Sequence, residues 1–325
     1  MALQIDEPGL VTTVQDRGRP GHYAVGIPLG GAMDTLAHEV ANALVGNDPD
    51  AATLECTFTG PRITVTAPTA MAVTGAAMDV AVNGDTVPRW TALALHEGDT
   101  VSCGFAASGA RSYLAFSGGI DVPLVLGSRS TYALGKIGGL QGRPLTAGDT
   151  LTLGVPQRAV TSENHLPEEL QPTYAKSAES RVVWGPYDHR LTGESRVMLT
   201  TADWTLTPLA DRTGLRFKGE KSFEFVEREQ PFGAGSDPSN IVDAGYAMGS
   251  IQLPGGSQPI VLHRDAVSAG GYAMVATVIS ADLNALGQLA PGSVTRFTAV
   301  TIEQALEARA ESRQRRDQIM AALVS

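Results

Sequence analysis

Short runs in which alternate residues are apolar recur along this chain, and few helical stripes compete with them. Arg62-Ile63-Thr64-Val65-Thr66 is one such run. Met78 to Val82, Thr100 to Phe105, Arg111 to Phe116, Arg181 to Trp184, Arg196 to Leu199, Phe223 to Val226 and Val294 to Val300 are others. Period-two alternation puts successive side chains on opposite faces of a pleated strand, so each run reads as a half-buried β-strand. The 36 glycines and 19 prolines supply turns enough to join many short strands. The expected fold class is therefore mainly β with a few helices.

Three helices are expected. Asp34 can cap one over Asp34 to Val45, with Leu36, Val40, Ala41 and Leu44 as its apolar stripe and Gly46 just past its end. A short one covers Ala281 to Leu289. Another starts at Thr301, where Thr301-Ile302-Glu303-Gln304 has the form of a capping box, and runs through an Arg- and Ala-rich tail. The stretch 161–180 is polar, contains Pro167 and Pro172 and lacks periodicity, as a linker would. The expected organisation is an N-terminal lobe (1–160), this linker, a C-terminal lobe (181–300) and a helical tail (301–325). A Gly-Asp turn launches a strand at Gly98-Asp99 and again at Gly148-Asp149, an echo suited to β lobes.

A net charge of −10 argues against nucleic acid and anionic membrane surfaces as partners, since both require a basic face. No apolar run approaches the roughly 18 residues that span a bilayer, and Met1 to Glu7 has no leader-like pattern, so a cytoplasmic location is expected. Cys56 and Cys103 lack a CxxC or histidine neighbour and read as buried free thiols. The chemistry absent from the sequence narrows the field further. Gly135-Lys136 lacks P-loop spacing, no Gly-x-Ser-x-Gly elbow occurs, and the six histidines are scattered without metal-ligand spacing. No metal site and no covalently attached cofactor are expected, and no Met-Lys-Met biotinylation site is present.

Polar clusters on glycine-rich loops remain. Gln15-Asp16-Arg17-Gly18-Arg19-Pro20-Gly21 sets a carboxylate and two guanidiniums on one turn. It reads either as an Asp-Arg pair pinning that turn or as a clamp for a carboxylate ligand. Asp211-Arg212-Thr213-Gly214 and Gly127-Ser128-Arg129-Ser130-Thr131 pose the same choice. The segment from Pro238-Ser239-Asn240, through Gly249-Ser250-Ile251-Gln252 and Asp265, to Gly270-Gly271-Tyr272 alternates sharp turns with short apolar runs. Few directed side chains on loops above strands suit a small polar substrate.

Taken in order, these motifs carry a resemblance. Thr12-Thr13-Val14-Gln15-Asp16-Arg17-Gly18-Arg19-Pro20-Gly21, Gly26-Ile27-Pro28-Leu29-Gly30-Gly31-Ala32-Met33-Asp34 and Ala41-Asn42-Ala43-Leu44-Val45-Gly46-Asn47-Asp48-Pro49 resemble the KipA family. This family is also called allophanate hydrolase subunit 2, the 5-oxoprolinase C-subunit or the biotin-dependent carboxyltransferase domain. Gly118-Gly119-Ile120-Asp121-Val122-Pro123, Leu126-Gly127-Ser128-Arg129-Ser130-Thr131, Gln258-Pro259-Ile260-Val261-Leu262 and Gly270-Gly271-Tyr272 continue the match to about Ala305.

The resemblance implies two lobes built on cyclophilin-like β-barrels and a hetero-oligomer with a KipI-like partner, allophanate hydrolase subunit 1. One reading is the C-subunit of an ATP-dependent 5-oxoprolinase that opens the pyroglutamate lactam, a hydrolase inactive alone, with a LamB/YcsF-type third subunit. The alternative is a carboxyltransferase moving CO2 from carboxybiotin to a urea-like or amide nitrogen, with a separate biotin carboxylase and carrier. A non-catalytic regulatory module is the third. Pro238-Ser239-Asn240 is similar to the urea-carboxylase branch, whose asparagine lies at the transfer site and corresponds to Asn240. Asp265-Ala266-Val267-Ser268-Ala269 keeps only the aspartate of the C-subunit pattern Asp-Arg-Gln-Thr-Thr. The implied catalytic residues are Asn240 and Asp265. Asp16, Arg19, Arg129, Arg212, Gln252, Gly270 and Gly271 form the implied substrate-binding set.

Overall fold

The computed structural model describes residues 2–158, 160 and 164–323. It is mostly β, with 34% strand and 18% helix, and the chain divides into two compact units. The first comprises Met1–Arg19, Gly30–Tyr174 and Gln314–Ser325; the second comprises Pro20–Leu29 and Ala175–Arg313. The stretch 161–180 expected as a linker is distributed across structure. Residues 161–163 lie outside the described residues, Leu166 is buried in the first unit, and Ser177 opens a strand of the second.

In the first unit, six strands pair in the order β11 (Thr150–Thr152), β1 (Ala2–Glu7), β4 (Arg62–Val65), β9 (Thr100–Ala106), β6 (Met78–Val82) and β7 (Asp85–Thr86). Five more pair as β2 (Val11–Gln15), β3 (Thr53–Thr57), β10 (Arg111–Phe116), β5 (Thr69–Gly75) and β8 (Ala92–Leu95). Leu3, Ile5, Ile63 and Val101 of the first sheet share one core with Leu54, Val73, Leu114 and Phe116 of the second. The other face of the second sheet packs against α1 (Thr35–Leu44): Ala72, Tyr113 and Ala115 meet Ala37, Val40, Ala41 and Leu44. Every residue of β10 is therefore buried, although its sequence alternates. Free Cys56 lies in the same core, where burial raises its thiol pKa, and Cys103 is half-buried.

Helix α1 starts where the capping argument places it. Asp34 accepts from the Ala37 N–H at 3.1 Å, and Gly46 follows the helix at φ 69°. The helix carries a buried polar face as well. His38 contacts Thr53 Oγ1 at 3.0 Å and the Pro49 carbonyl at 3.2 Å, and Asn42 donates to Ala51 O at 2.8 Å. Glu39, nearly inaccessible, is paired with Arg17 at 3.2 Å and Arg316 at 2.6 Å. Arg316 belongs to α4 (Ile302–Ala322), whose Ile319 is buried with the α1 cluster. The capping box of α4 is formed: Gln304 N donates to Thr301 Oγ1 at 3.2 Å, and Thr301 N donates to Gln304 Oε1 at 2.9 Å.

The second unit is a closed barrel in the order β12 (Ser177–Trp184), β19 (Met274–Val278), β16 (Ser250–Gln252), β17 (Ile260–Leu262), β14 (Gly214–Lys218), β13 (Trp204–Leu206) and β20 (Val294–Ala299). Closure comes through the parallel pair β12 and β20. Phe217 and Phe297 meet edge-to-face at 5.9 Å inside it, and Trp204 stacks on Phe223 at 5.2 Å. A two-stranded ribbon, β15 (Asn240–Gly245) with β18 (Ala269–Tyr272), lies outside the barrel sheet. Helix α3 (Leu283–Gly287) falls inside the range expected for it.

Two expected strands are corrected. Arg196 to Leu199 belongs to helix α2 (Gly193–Thr201), capped by Thr192, whose hydroxyl accepts from Ser195 N at 3.2 Å. Its buried residues are Ser195 and Leu199, four apart, so the spacing that matters is helical. Phe223 to Val226 forms no ladder, only an isolated bridge from Phe225 to Leu191. Its amides are spent elsewhere, Phe223 N on Gly256 O and Val226 N on Arg190 O, and stacking on Trp204 fixes Phe223.

Burial lowers the pKa of His38 from 6.5 to about 4, against an opposing pull from Asp16. The folded pKa lies below the unfolded value, so protonation favours the unfolded chain. The stabilisation of neutral His38 is complete above pH 6.5 and lost as pH falls toward 4. A shift of this size corresponds to roughly 3 kcal/mol. The protection factors of the α1 amides, which correct for the intrinsic pH dependence of exchange, are expected to fall steeply as pH drops through this window in the wild type and less steeply in His38→Gln. Equal pH slopes for the two proteins would contradict this.

Candidate functional site

The turn leading into β15 is held by its main chain. Four consecutive carbonyls each accept a hydrogen bond. Gln230 Nε2 donates to Asp237 O at 2.5 Å, Arg190 Nη2 to Pro238 O at 2.6 Å, Ala273 N to Ser239 O at 3.0 Å and Arg228 Nη2 to Asn240 O at 3.3 Å. Ser239, 1% exposed, donates its hydroxyl to Asp237 Oδ1 at 2.6 Å and accepts from Gly255 N at 3.0 Å. Asn240 is thereby fixed at the start of the ribbon. Its Nδ2 gives one N–H to Ala234 O at 3.0 Å; its other N–H and Oδ1 have no partner among the described residues. A half-buried amide with spare donor and acceptor capacity can bind a small polar group.

Opposite Asn240 stands Tyr272, and Gly270 pairs with Ala244 further along the ribbon. Gly270 is required by packing, since an added Cβ would come within 2.9 Å of the Tyr246 ring. The Tyr246 hydroxyl donates to Tyr272 O at 2.9 Å and accepts from Tyr272 N at 2.7 Å. Asn240, Gly270 and Gly271 thus come together on one ribbon, as the sequence motifs suggest. Gln252 is buried on β16, in register with Ile260 and Met274.

Arg212 and Asp265 form a bidentate pair, Nε to Oδ2 at 2.8 Å and Nη2 to Oδ1 at 3.0 Å, with Asp265 only 6% exposed. Both oxygens of the expected base therefore face the expected clamp. Arg129 is likewise engaged, pairing with Asp121 at 3.1 Å and donating from Nε to Val122 O at 2.9 Å. A cavity of about 750 Å3, lined by residues of α2, Trp204 and residues 220–224, holds none of the expected site residues. Among the described residues, no group of three or more His, Cys, Asp or Glu is placed to hold a metal ion.

In the first unit, Asp16 is the hub of its loop cluster. Its carboxylate accepts from Ser128 Oγ at 2.6 Å, Gly18 N at 2.8 Å, Ser130 Oγ at 2.5 Å and Arg129 N at 2.5 Å. Arg19, 1% exposed, donates from Nη2 to Ser130 O. The approach is so close that a Cβ at Gly138, at φ 69°, would overlap the Ser130 carbonyl. Of the two readings of this turn, pinning is what the geometry displays, although hydroxyls and amides replace the Asp-Arg pair. The residues missed from sequence are Arg190 and Arg228, which belong to none of the motifs above and become legible only through the carbonyls that they hold. Asp16→Asn would set an amide donor against four donors. It is expected to lower the stability of the first unit by roughly 2 to 4 kcal/mol in urea denaturation. An unchanged midpoint would show that the hub is not needed.

Residues 25–299 match the model of the carboxyltransferase domain, subdomain A and B. The chain is 36% identical over 315 residues to a putative urea carboxylase of Emericella nidulans, covering 95% of this chain but 25% of that protein. It therefore spans about a quarter of that relative's length. It is 34% identical to the 5-oxoprolinase C-subunit of Escherichia coli over 98% of this chain and 97% of that one. The crystal structure of Kluyveromyces lactis urea carboxylase superposes with a TM-score of 0.91 at 31% identity, covering 98% of this chain and 29% of that one. The chain belongs to the carboxyltransferase family, subdomains A and B, that also contains the 5-oxoprolinase C-subunit.

Proposed function

We propose that this chain is the C-subunit of an ATP-dependent 5-oxoprolinase, an enzyme complex that opens the lactam of pyroglutamate. The observation carrying this reading is the end-to-end correspondence with the Escherichia coli protein, 98% of one chain against 97% of the other. The proposed partners are a KipI-like subunit and a LamB/YcsF-type third subunit, in the cytoplasm, with the chain inactive alone. Among the described residues, no helix is long and apolar enough to cross a membrane.

In this reading Asn240 binds the lactam amide. Its second N–H polarises the carbonyl oxygen, where charge develops as the ring opens, and the anchored turn keeps that donor from reorganising. The ribbon beside Gly270 and Gly271 supplies close backbone approach. Asp265 and Arg212 act as one unit, with Arg212 orienting the carboxylate through one hydrogen bond to each oxygen and leaving further acceptor capacity on both. Gln252 supports the ribbon side of the barrel. Asp16, Arg19 and Arg129 keep the first unit's loops rigid.

The second reading, transfer of CO2 from carboxybiotin to a urea-like or amide nitrogen, is favoured by the 36% identity and the TM-score of 0.91 to urea carboxylases. Carboxybiotin on a separate carrier would then bring the carboxyl group, and Asn240 would serve the ureido oxygen in the same way. The readings separate on reconstitution with the KipI-like and third subunits. Pyroglutamate-dependent ATP turnover, unchanged by avidin, is the expected result. Turnover that requires a biotin carrier would replace the first reading with the second.

A further inference from the structure

Two of the turn's anchors carry more charge than anchoring needs. Gln230 holds the Asp237 carbonyl with a neutral amide, whereas Arg190 and Arg228 hold their carbonyls with guanidiniums. Neither arginine pairs with a carboxylate among the described residues, although the chain has 34 acidic residues against 24 basic ones. Asp188, two residues from Arg190, is paired with Arg196 at 3.0 Å. Arg190 is 3% exposed, and its Nε and Nη1 are buried without a hydrogen-bond partner among the described residues. Burial and, next, the nearby charge of Arg228 hold its pKa below the usual arginine value.

Burying an uncompensated guanidinium is costly, and a second one close by adds repulsion. Arg228 is exposed and lines a cavity of about 520 Å3 together with Glu227, Gln230, Ser236 and Pro238. Its Nε and Nη2 are used on Gln230 Oε1 at 3.2 and 3.1 Å and on Asn240 O, leaving Nη1 without a partner among the described residues. Arg190 does not line this cavity; it lies buried behind Pro238, a lining residue, whose carbonyl it holds. Glu227, Glu229 and Asp237 are the acidic groups nearest in sequence to Arg228 and the turn, and none of them forms an ion pair with Arg190 or Arg228 among the described residues; Asp237 Oδ1 accepts from Ser239 instead.

We propose that this cavity binds the carboxylate of a small organic acid, with Arg228 as the contact group and Arg190 supplying positive potential from behind. A planar guanidinium matches a carboxylate. Glu227 in the wall and the net charge of −10 disfavour a dianion such as phosphate. Such a site deepens the reading above by giving the acid group of its substrate a place beside Asn240, and it rests on that reading only for the identity of the natural acid.

The test uses the chain alone, labelled with 15N-arginine, and follows the Nε–Hε signals during titration with sodium acetate, sodium chloride holding the ionic strength constant. Saturable shifts of Arg228 and Arg190 are expected, while Arg143, already paired with Asp149, stays still. Arg228→Gln, an exposed change that can still donate to Asn240 O, is expected to weaken acetate binding by about tenfold or more. Arg190→Gln removes an anchor of the turn and can unfold it, so the Arg228 variant carries the test. The proposal is overturned if neither arginine responds saturably, if phosphate binds and acetate does not, or if Arg228→Gln binds acetate as the wild type does. Acetate binding without pyroglutamate turnover in the reconstituted complex would sink the 5-oxoprolinase reading and leave this one standing.

Discussion

The hydrogen bonds to four successive carbonyls, Asp237 to Asn240, are the constraint on which the second unit's candidate site depends. A loop of this kind, rich in glycine and proline, would otherwise sample many conformations, and fixing each residue's backbone costs about 1 to 2 kcal/mol. Here the cost is met by donors from three separate places: residues 228–230, the turn at Arg190, and the strand end at Ala273. Removing any one loosens the others, because all of them converge on a single turn. Asn240 is consequently presented as a preorganised amide rather than as a mobile side chain, which is the condition under which one hydrogen bond can contribute strongly to a transition state.

The first unit uses the same device with opposite polarity. Asp16 gathers four donors, two hydroxyls and two amides, and so locks residues 16–19 against residues 128–130. Arg19 and the close approach at Gly138 complete the lock. Glu39, held by Arg17 and Arg316, ties α1 to the end of α4. These polar groups are almost fully buried and extensively hydrogen-bonded, which accounts for motifs that look chemical in sequence and are architectural in space.

Much of the fold was legible because it is written locally. Alternation located β4, β6, β9 and β10, while Asp34, Gly46 and the Thr301 to Gln304 box marked helix ends by short-range hydrogen bonds. Arg196 to Leu199 misled because four residues satisfy a strand pattern and a helix pattern equally, and Thr192 settles the matter from outside the window. Phe223 to Val226 misled because its fate is set by distant partners, Trp204 and Gly256. Asn240 and the Gly270-Gly271 pair stand out in sequence as parts of continuous motifs, and they share a ribbon. Charged residues were harder to judge. The sequence leaves Arg129 and Arg212 open between pinning a turn and clamping a ligand, and both are paired in space, while Arg190 and Arg228 belong to no motif and lack an acidic partner among the described residues. Pairing is a property of tertiary structure, and nothing in the local sequence encodes it.

If the anchored turn exists to hold Asn240 at the reacting amide, removing that side chain should cost activity and little else. The direct measurement is the turnover of the reconstituted complex with Asn240→Ala, alongside the urea unfolding midpoint of the same variant. A fall in kcat of roughly a hundredfold or more is predicted, as for loss of one preorganised donor, with the midpoint nearly unchanged. Wild-type turnover from a folded Asn240→Ala protein would contradict this role for the anchored turn.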